Sequence, residues 1–416
     1  CIIASGSSIQ RHRYFEFAPG RDAEPNADLD TLADAVGDAV LKSLEQCHRI
    51  SSDPVVTLSG GADSRLVLAG LLEIGAKNIR TITWGSENQY RSGDGFVAAQ
   101  LARRCGVEHR FAPQTNDFLT MPAFTRRFGA ETDVAAYHIG ELSFVQGMLS
   151  DGGSRSLYRG DECFGWLGAV HTADQAATAV GVRPMQALRT NLEPVFAPRA
   201  YAAVCDAHGD ALADEVQQAT PMDFVDLKDR HYFYLRLARY LQPVNAYKLS
   251  CVETFNPLLA KPVLECLATV PSRLRLNKQV ELRLLARRFP RVMTIPFATR
   301  ASLADSGHAW QTTPAVRSFV HATLGRTNNL WNQLFDPVTI EAFASTCLRN
   351  GPWRGAPIRR WAARILRGTG LYTRARRHTW NPTTHAQPSL LRLLQRLTVM
   401  KLWIDTHEGQ LTLDLG

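Results

Sequence analysis

Residues 55–64 constrain the fold of this chain more than any other stretch. An apolar β-branched run, Val55-Val56-Thr57-Leu58, leads into Ser59-Gly60-Gly61-Ala62-Asp63-Ser64, and a helix-like segment follows from Arg65 to Glu73. A strand, a glycine turn and a helix start in that order make a phosphate-binding geometry. Glycines lack Cβ, so the backbone turns tightly and aims N–H groups inward. The helix N-terminus adds unpaired donors and a partial positive charge. Ser59 and Ser64 supply hydroxyl donors, and Asp63 supplies a hard oxygen ligand for Mg²⁺. A Walker-type loop ends in Lys and this one does not, so it suits the pyrophosphate released by an adenylation better than a transferred γ-phosphate. The bland alternative is a serine–glycine turn with a helix cap. The intact hexapeptide between strand and helix argues against it.

The flanking periodicity predicts an α/β chain. Leu29, Leu32, Ala33, Val36, Val40 and Leu44 recur at helical spacing behind an Asp28 cap. Strands are expected at 55–58, 79–84 and 107–111, with a helix from Phe96 to Cys105 ended by Gly106. Such alternation builds a parallel twisted sheet with right-handed crossovers, flanked by helices, whose ligands bind beyond the carboxyl ends of the strands. A short strand, Ser156 to Tyr158, delivers residues 159–165 to the same edge. Residues 118–149 read as helical, with a polar cluster of Tyr137, His138 and Glu141. Residues 172–247 are largely helical, and their aromatic run His231-Tyr232-Phe233-Tyr234 reads as core.

Three motifs in order resemble the asparagine synthetase family of N-type ATP pyrophosphatases. They are Ser59 to Ser64, then Gly160-Asp161-Glu162-Cys163-Phe164-Gly165, then Val252-Glu253-Thr254-Phe255-Asn256-Pro257-Leu258-Leu259. Asp94 near a helix start and Gly106-Val107-Glu108-His109 add smaller matches. The resemblance implies a PP-loop (HUP-like) domain using ATP and Mg²⁺ to make an amide, as a glutamine-hydrolysing asparagine synthase does. It implies nucleotide contacts from Leu58, Ser59, Gly60, Gly61, Asp63, Ser64, Trp84 and Gly160, and metal ligation by Asp63 and Asp161. Glu162 is open between metal binding and positioning a substrate amine. Arg65 is open between phosphate, a substrate carboxylate and an exposed helix face.

Two departures matter. Tyr158 stands where asparagine-forming members carry Glu, followed by Arg159 where Gly is usual. Tyr158 paired with Glu253 is similar to the β-lactam synthetase branch, and implies a pair that deprotonates an amine nucleophile. The family's late Lys is expected near 290–297, where there is none; Arg291 and Arg300 are the candidates to replace it. The related alternative is a macrolactam- or β-lactam-forming tailoring ligase. Alternatives of other classes are a tRNA-modifying enzyme and a non-catalytic nucleotide-binding module.

The charge balance, 47 basic against 39 acidic residues, fits polyanionic ligands such as ATP but discriminates poorly among them. The later motifs set nucleic acid aside as a partner, in favour of small-molecule or peptide carboxylate and amine substrates. The eight cysteines form no C-x-x-C and read as reduced, buried thiols in a cytoplasmic protein. No apolar run is long enough to span a bilayer. About 50 residues precede the loop, too few for a glutaminase domain. We therefore expect residues 1–28 to be the end of a missing N-terminal domain plus linker, with 13–19 its last strand. Residues 29–295 form the synthetase domain. Residues 296–416 form a helical region rich in Trp (Trp310, Trp331, Trp353, Trp361, Trp380, Trp403) and in Arg from Arg354 to Arg377.

Overall fold

The β-branched run before the glycine turn occupies the centre of a five-stranded parallel sheet. The computed structural model describes residues 2–5, 8–11, 15–85, 93–113, 156–165, 168–182, 193–218, 223–249, 252–299, 310–349 and 390–410. The cluster Tyr137, His138 and Glu141, the basic stretch from Arg354 to Arg377, Arg300, and Trp353, Trp361 and Trp380 lie outside the described residues.

The chain opens with an antiparallel hairpin of β1 (Ile2–Ser5) and β2 (Ser8–Arg11). Phe15 to Pro19 is not the strand expected there; it runs as irregular backbone with Phe17 fully buried in the core. The Phe17 N–H donates to the Tyr234 hydroxyl at 2.9 Å, so a side chain replaces a strand partner. Helix α1 (Leu29–Ile50) is capped as its sequence indicates: Asp28 accepts from the Thr31 N–H at 2.9 Å. It runs past Leu44, the last of the spaced apolar residues, to Ile50.

Strand β3 (Pro54–Thr57) leads through the glycine turn into α2 (Asp63–Glu73), which begins two residues earlier than its apolar run suggests. Strand β4 (Arg80–Gly85), α3 (Asp94–Cys105) and β5 (Glu108–Pro113) complete one half of the sheet. Gly106, in the left-handed conformation at φ 74°, ends α3 as expected. Strand β6 (Ser156–Tyr158) pairs with the other side of β3. Next come α4 (Ala173–Ala179), α5 (Pro198–Gln218) and α6 (Phe224–His231). Helix α6 continues as a π-helical stretch, Tyr232–Leu241, into α7 (Gln242–Leu249). Strand β7 (Glu253–Phe255) closes the order β5-β4-β3-β6-β7, parallel throughout. The chain extends to either side from β3, so the carboxyl end of β3 is a switch point where such sheets bind ligands.

Helix α2 is buried almost all round, with Leu66, Val67, Leu68 and Leu71 fully enclosed, rather than showing one face to solvent. Its core also takes in α8 (Lys261–Ala268) and α10 (Gln279–Arg288), separated by the short α9 (Ser272–Arg275) and followed by α11 (Pro290–Met293). A second core gathers Trp310 and Trp331 with α12 (Pro314–Leu324), α13 (Asn329–Leu334), α14 (Pro337–Arg349) and α15 (Leu390–His407). Val195 and Tyr201 join that core from earlier in the chain. The described cysteines are all free thiols. No helix among the described residues is long and apolar enough to cross a membrane.

Candidate active site

The turn after β3 is held by its own side chains. The Ser59 N–H donates to Ser64 Oγ at 2.9 Å, the two hydroxyls lie 3.0 Å apart, and the Gly61 N–H donates to Ser59 Oγ at 3.1 Å. Asp94, at the start of α3, accepts from the Gly60 N–H at 3.0 Å. The cap residue of α2, Ala62, offers no side-chain hydrogen bond to the first helical turn. A helix start left uncapped by its own chain is suited to an anionic ligand.

Two glycines are fixed by close approach. A Cβ on Gly60 would lie 2.2 Å from that of Ala298, whose N–H donates to the Gly60 carbonyl at 2.9 Å. A Cβ on Gly160 would lie 2.7 Å from the Ser64 nitrogen and 2.8 Å from the Asp63 carbonyl carbon. The second motif therefore lies directly on the backbone of the first. Between them opens a cavity of about 250 Å³, lined by Leu58, Ser59, Asp63, Ser64, Trp84, Gly160 and Asp161. Thr57, Ile82, Thr83, Asp94 and Arg159 line it as well. Of the nominated nucleotide and metal residues, Gly60 and Gly61 shape the turn without lining the cavity. The buried ammonium of Lys248 lies over the Trp84 ring, 5.1 Å from its centroid.

Arg65 serves none of the three roles left open for it. It is fully buried, and its guanidinium donates to the carbonyls of Val292 at 2.8 Å, Ile295 at 2.6 Å and Pro296 at 3.3 Å. It also stacks on Phe297 at 4.2 Å. Burial pulls its pKa down to about 10. It ties the segment where the late Lys is expected to the nucleotide turn. Arg291 points elsewhere, donating to the Arg104 carbonyl on the surface.

A lysine does reach the turn, from a place the motifs do not mark. The Lys278 ammonium pairs with Asp63, with Glu162 at 2.8 Å and with Glu281 at 3.5 Å. Its backbone is left-handed at φ 59°, directly after Asn277 at φ 54°. That conformation costs a residue other than glycine about 1–3 kcal/mol and persists only where its surroundings enforce it. The Lys278 N–H donates to the Gly165 carbonyl at 3.2 Å, which ties the lysine to the second motif. Burial opposes charge on Lys278, but Glu281, Glu162 and Asp63 outweigh it and hold the pKa well above the ordinary value. Burial pushes Glu281 well up, and Asp63 beside it pushes the same way. Glu281 is fully buried, and neither of its oxygens accepts a hydrogen bond from a described group.

Glu162 is likewise buried, accepting from the Phe164 N–H and pairing with Lys278, so its described partners are internal. Asp161 lines the cavity, where the Arg159 guanidinium donates to its Oδ1 at 3.2 Å and sits 3.1 Å from its Oδ2. The Arg159 N–H extends the sheet by bonding the Phe255 carbonyl at 2.9 Å.

Tyr158 and Glu253 are not brought together. Tyr158 is fully buried, its hydroxyl donates to the Ser51 carbonyl at 3.3 Å, and its ring packs 5.2 Å from that of Phe255. Burial raises its pKa. The register pairs Glu253 with Ser156, two residues before Tyr158 and away from the ligand edge, and Glu253 is exposed.

Sequence reasoning missed Lys278 and Glu281. Their only local signal is a Lys–Glu spacing of three behind an Asn, common on helix starts and silent about what it faces. A family model described as asparagine synthase matches residues 32–363. A search of curated proteins returns no match. The match takes in the turn, the second motif and β7, and the chain belongs to the asparagine synthase family, whose members are ATP-dependent C–N ligases.

Proposed function

We propose that this family member activates a carboxylate with ATP and passes the acyl group to an amine or ammonia. The observation that carries the reading is the cavity at the carboxyl end of β3, walled by the glycine turn on one side and by Gly160 and Asp161 on the other. In the first step a substrate carboxylate oxygen bonds to the α-phosphorus of ATP, and the bond to the bridging oxygen breaks with its electrons leaving on pyrophosphate. In the second step the amine nitrogen bonds to the acyl carbon, the acyl carbon–oxygen bond breaks with its electrons leaving on AMP, and the proton lost from nitrogen passes to solvent. The turn and the start of α2 hold the pyrophosphate end, and Trp84, Leu58 and Ile82 offer apolar surface to the nucleoside.

Asp63 and Asp161 are the residues that would hold Mg²⁺. Both reach the cavity, and both carry the hard oxygens the ion prefers. When bound, the ion neutralises phosphate charge and templates the transfer. Ordering both substrates away from water protects the adenylate from hydrolysis.

The placement of Tyr158 and Glu253 lends no support to a base built from that pair, so the lactam-forming branch is not the reading we favour. The test is to incubate the protein with ATP, Mg²⁺ and panels of carboxylates and amines, and to follow nucleotides and products by mass spectrometry. We expect AMP and pyrophosphate in step with one amide. ADP with phosphate, or no turnover with any pair, would overturn the proposal; binding of tRNA that weakens steeply with salt would favour the nucleic-acid class instead.

A further inference from the structure

We propose that Lys278 and Arg159 are phosphate-binding residues that occupy Asp63 and Asp161 until nucleotide arrives, so that the site takes up a divalent cation only together with a polyphosphate. The inference rests on the nucleotide reading of the cavity.

Each carboxylate read as a metal ligand already has a cation of its own. Lys278 pairs with Asp63, and Arg159 pairs with Asp161, donating to its Oδ1 and lying 3.1 Å from its Oδ2. Among the described residues, no three His, Cys, Asp or Glu side chains are arranged to hold a metal ion. A Mg²⁺ ion keeps six oxygen ligands and is usually held by one or two carboxylates plus substrate phosphates. Here a metal entering alone would have to displace two half-buried cations and would gain too few ligands in return.

Arg159 reaches the cavity, and Lys278 has neighbours that stay with it. Arg159 Nη1 is buried without a hydrogen-bond acceptor, in a side chain that lines the cavity. A guanidinium fork matches two phosphate oxygens. When Lys278 leaves Asp63, it keeps Glu162 at 2.8 Å and Glu281 at 3.5 Å as neighbours. Glu281, fully enclosed and accepting no hydrogen bond, is explained as the anchor that keeps this ammonium beside the turn in both states. The exchange is electrically balanced: the metal takes the carboxylates while the phosphates take the two cations.

The experiment is a Mn²⁺ titration followed by electron paramagnetic resonance, with and without β,γ-imido-ATP. It uses the full chain, Arg159→Met, and Lys278→Met/Glu281→Gln, the double change removing one acid with the base so that the net charge of the cluster is unchanged. Thermal melts confirm folding. We expect wild type to bind free Mn²⁺ at least tenfold more weakly than Mn²⁺ with the analogue. Each variant should bind free Mn²⁺ at least tenfold more tightly than wild type and the Mn²⁺–analogue pair more weakly. Variants whose free Mn²⁺ affinity matches wild type, beside a wild type that binds the pair, would overturn this inference and leave the functional reading standing. A wild type that binds neither would overturn both.

Discussion

Arg275 and Lys278 are cations three positions apart in the chain, the first buried and the second half-buried, and their surroundings differ. Arg275 is fully satisfied: it donates to Asp226, to Asp229 at 2.9 Å and to the Val270 carbonyl, with no exposed surface. Lys278 faces three carboxylates, one of which accepts no hydrogen bond, and its backbone is strained. A complete network fixes a fold, whereas one with unmet capacity beside the glycine turn is suited to receiving a ligand. The first supports the second, because the Arg275 carbonyl packs where a Cβ on Gly165 would lie, and the Gly165 carbonyl holds the Lys278 N–H.

The contrast can be broken at either end. The largest stability effect is expected at Arg275→Met. It leaves Asp226 without its guanidinium and Asp229 with Lys228 alone, at 3.6 Å, and should cost about 3–5 kcal/mol, read as a shift in the urea midpoint. A loss under about 1 kcal/mol would remove the structural side of the comparison. Asp63→Asn should lower the rate of ATP–pyrophosphate exchange by about 100-fold or more, as several kcal/mol of metal-assisted stabilisation disappears. Its melting temperature should not fall, because the change relieves crowding among carboxylates. A stable variant with full exchange would dismiss Asp63 from the site.

A pH profile sharpens the structural side further. Burial raises Asp226 from its ordinary 3.8 to about 6, even against Arg275, while burial lowers His231 from 6.5 to about 4. The folded state binds the Asp226 proton more tightly than the unfolded chain, so that contribution is present in acid and lost as pH rises from 4 to 6. His231 works the other way: its contribution is present above pH 6.5 and lost as pH falls to 4. The two slopes oppose each other. Asp226→Asn should therefore make the melting temperature fall more steeply on acidification across this window, and an unchanged slope would refute the assignment. The smallest effect is expected on the surface, where Arg283 and Arg287 pair with Asp30 and Asp34. Arg287→Ala should shift the melt little, and any shift should vanish in high salt.

What could be read from the sequence was local. The strand–turn–helix of residues 55–73, the Asp28 cap and the Gly106 stop each depend on neighbours a few residues away, and each appears where its chemistry requires. Gly160 and Asp161 were legible because a short motif carries its own backbone geometry to a strand end. Lys278 was not, since its partner Asp63 lies 215 positions away, and the helix it precedes, α10, is held against α1. Tyr158 misled for a related reason. A strand of three residues carries too little alternation to say which face a side chain takes, and here its ring belongs to the core. Arg65 looked free because nothing near it in sequence announces the carbonyls of Val292, Ile295 and Pro296.

Binding of magnesium pyrophosphate, measured by isothermal titration calorimetry on wild type and Asp63→Asn, tests most directly whether the turn after β3 grips the diphosphate end of ATP. We expect one site per wild-type chain and at least a tenfold weaker site in the variant. Equal affinities, or no binding to wild type, would contradict it.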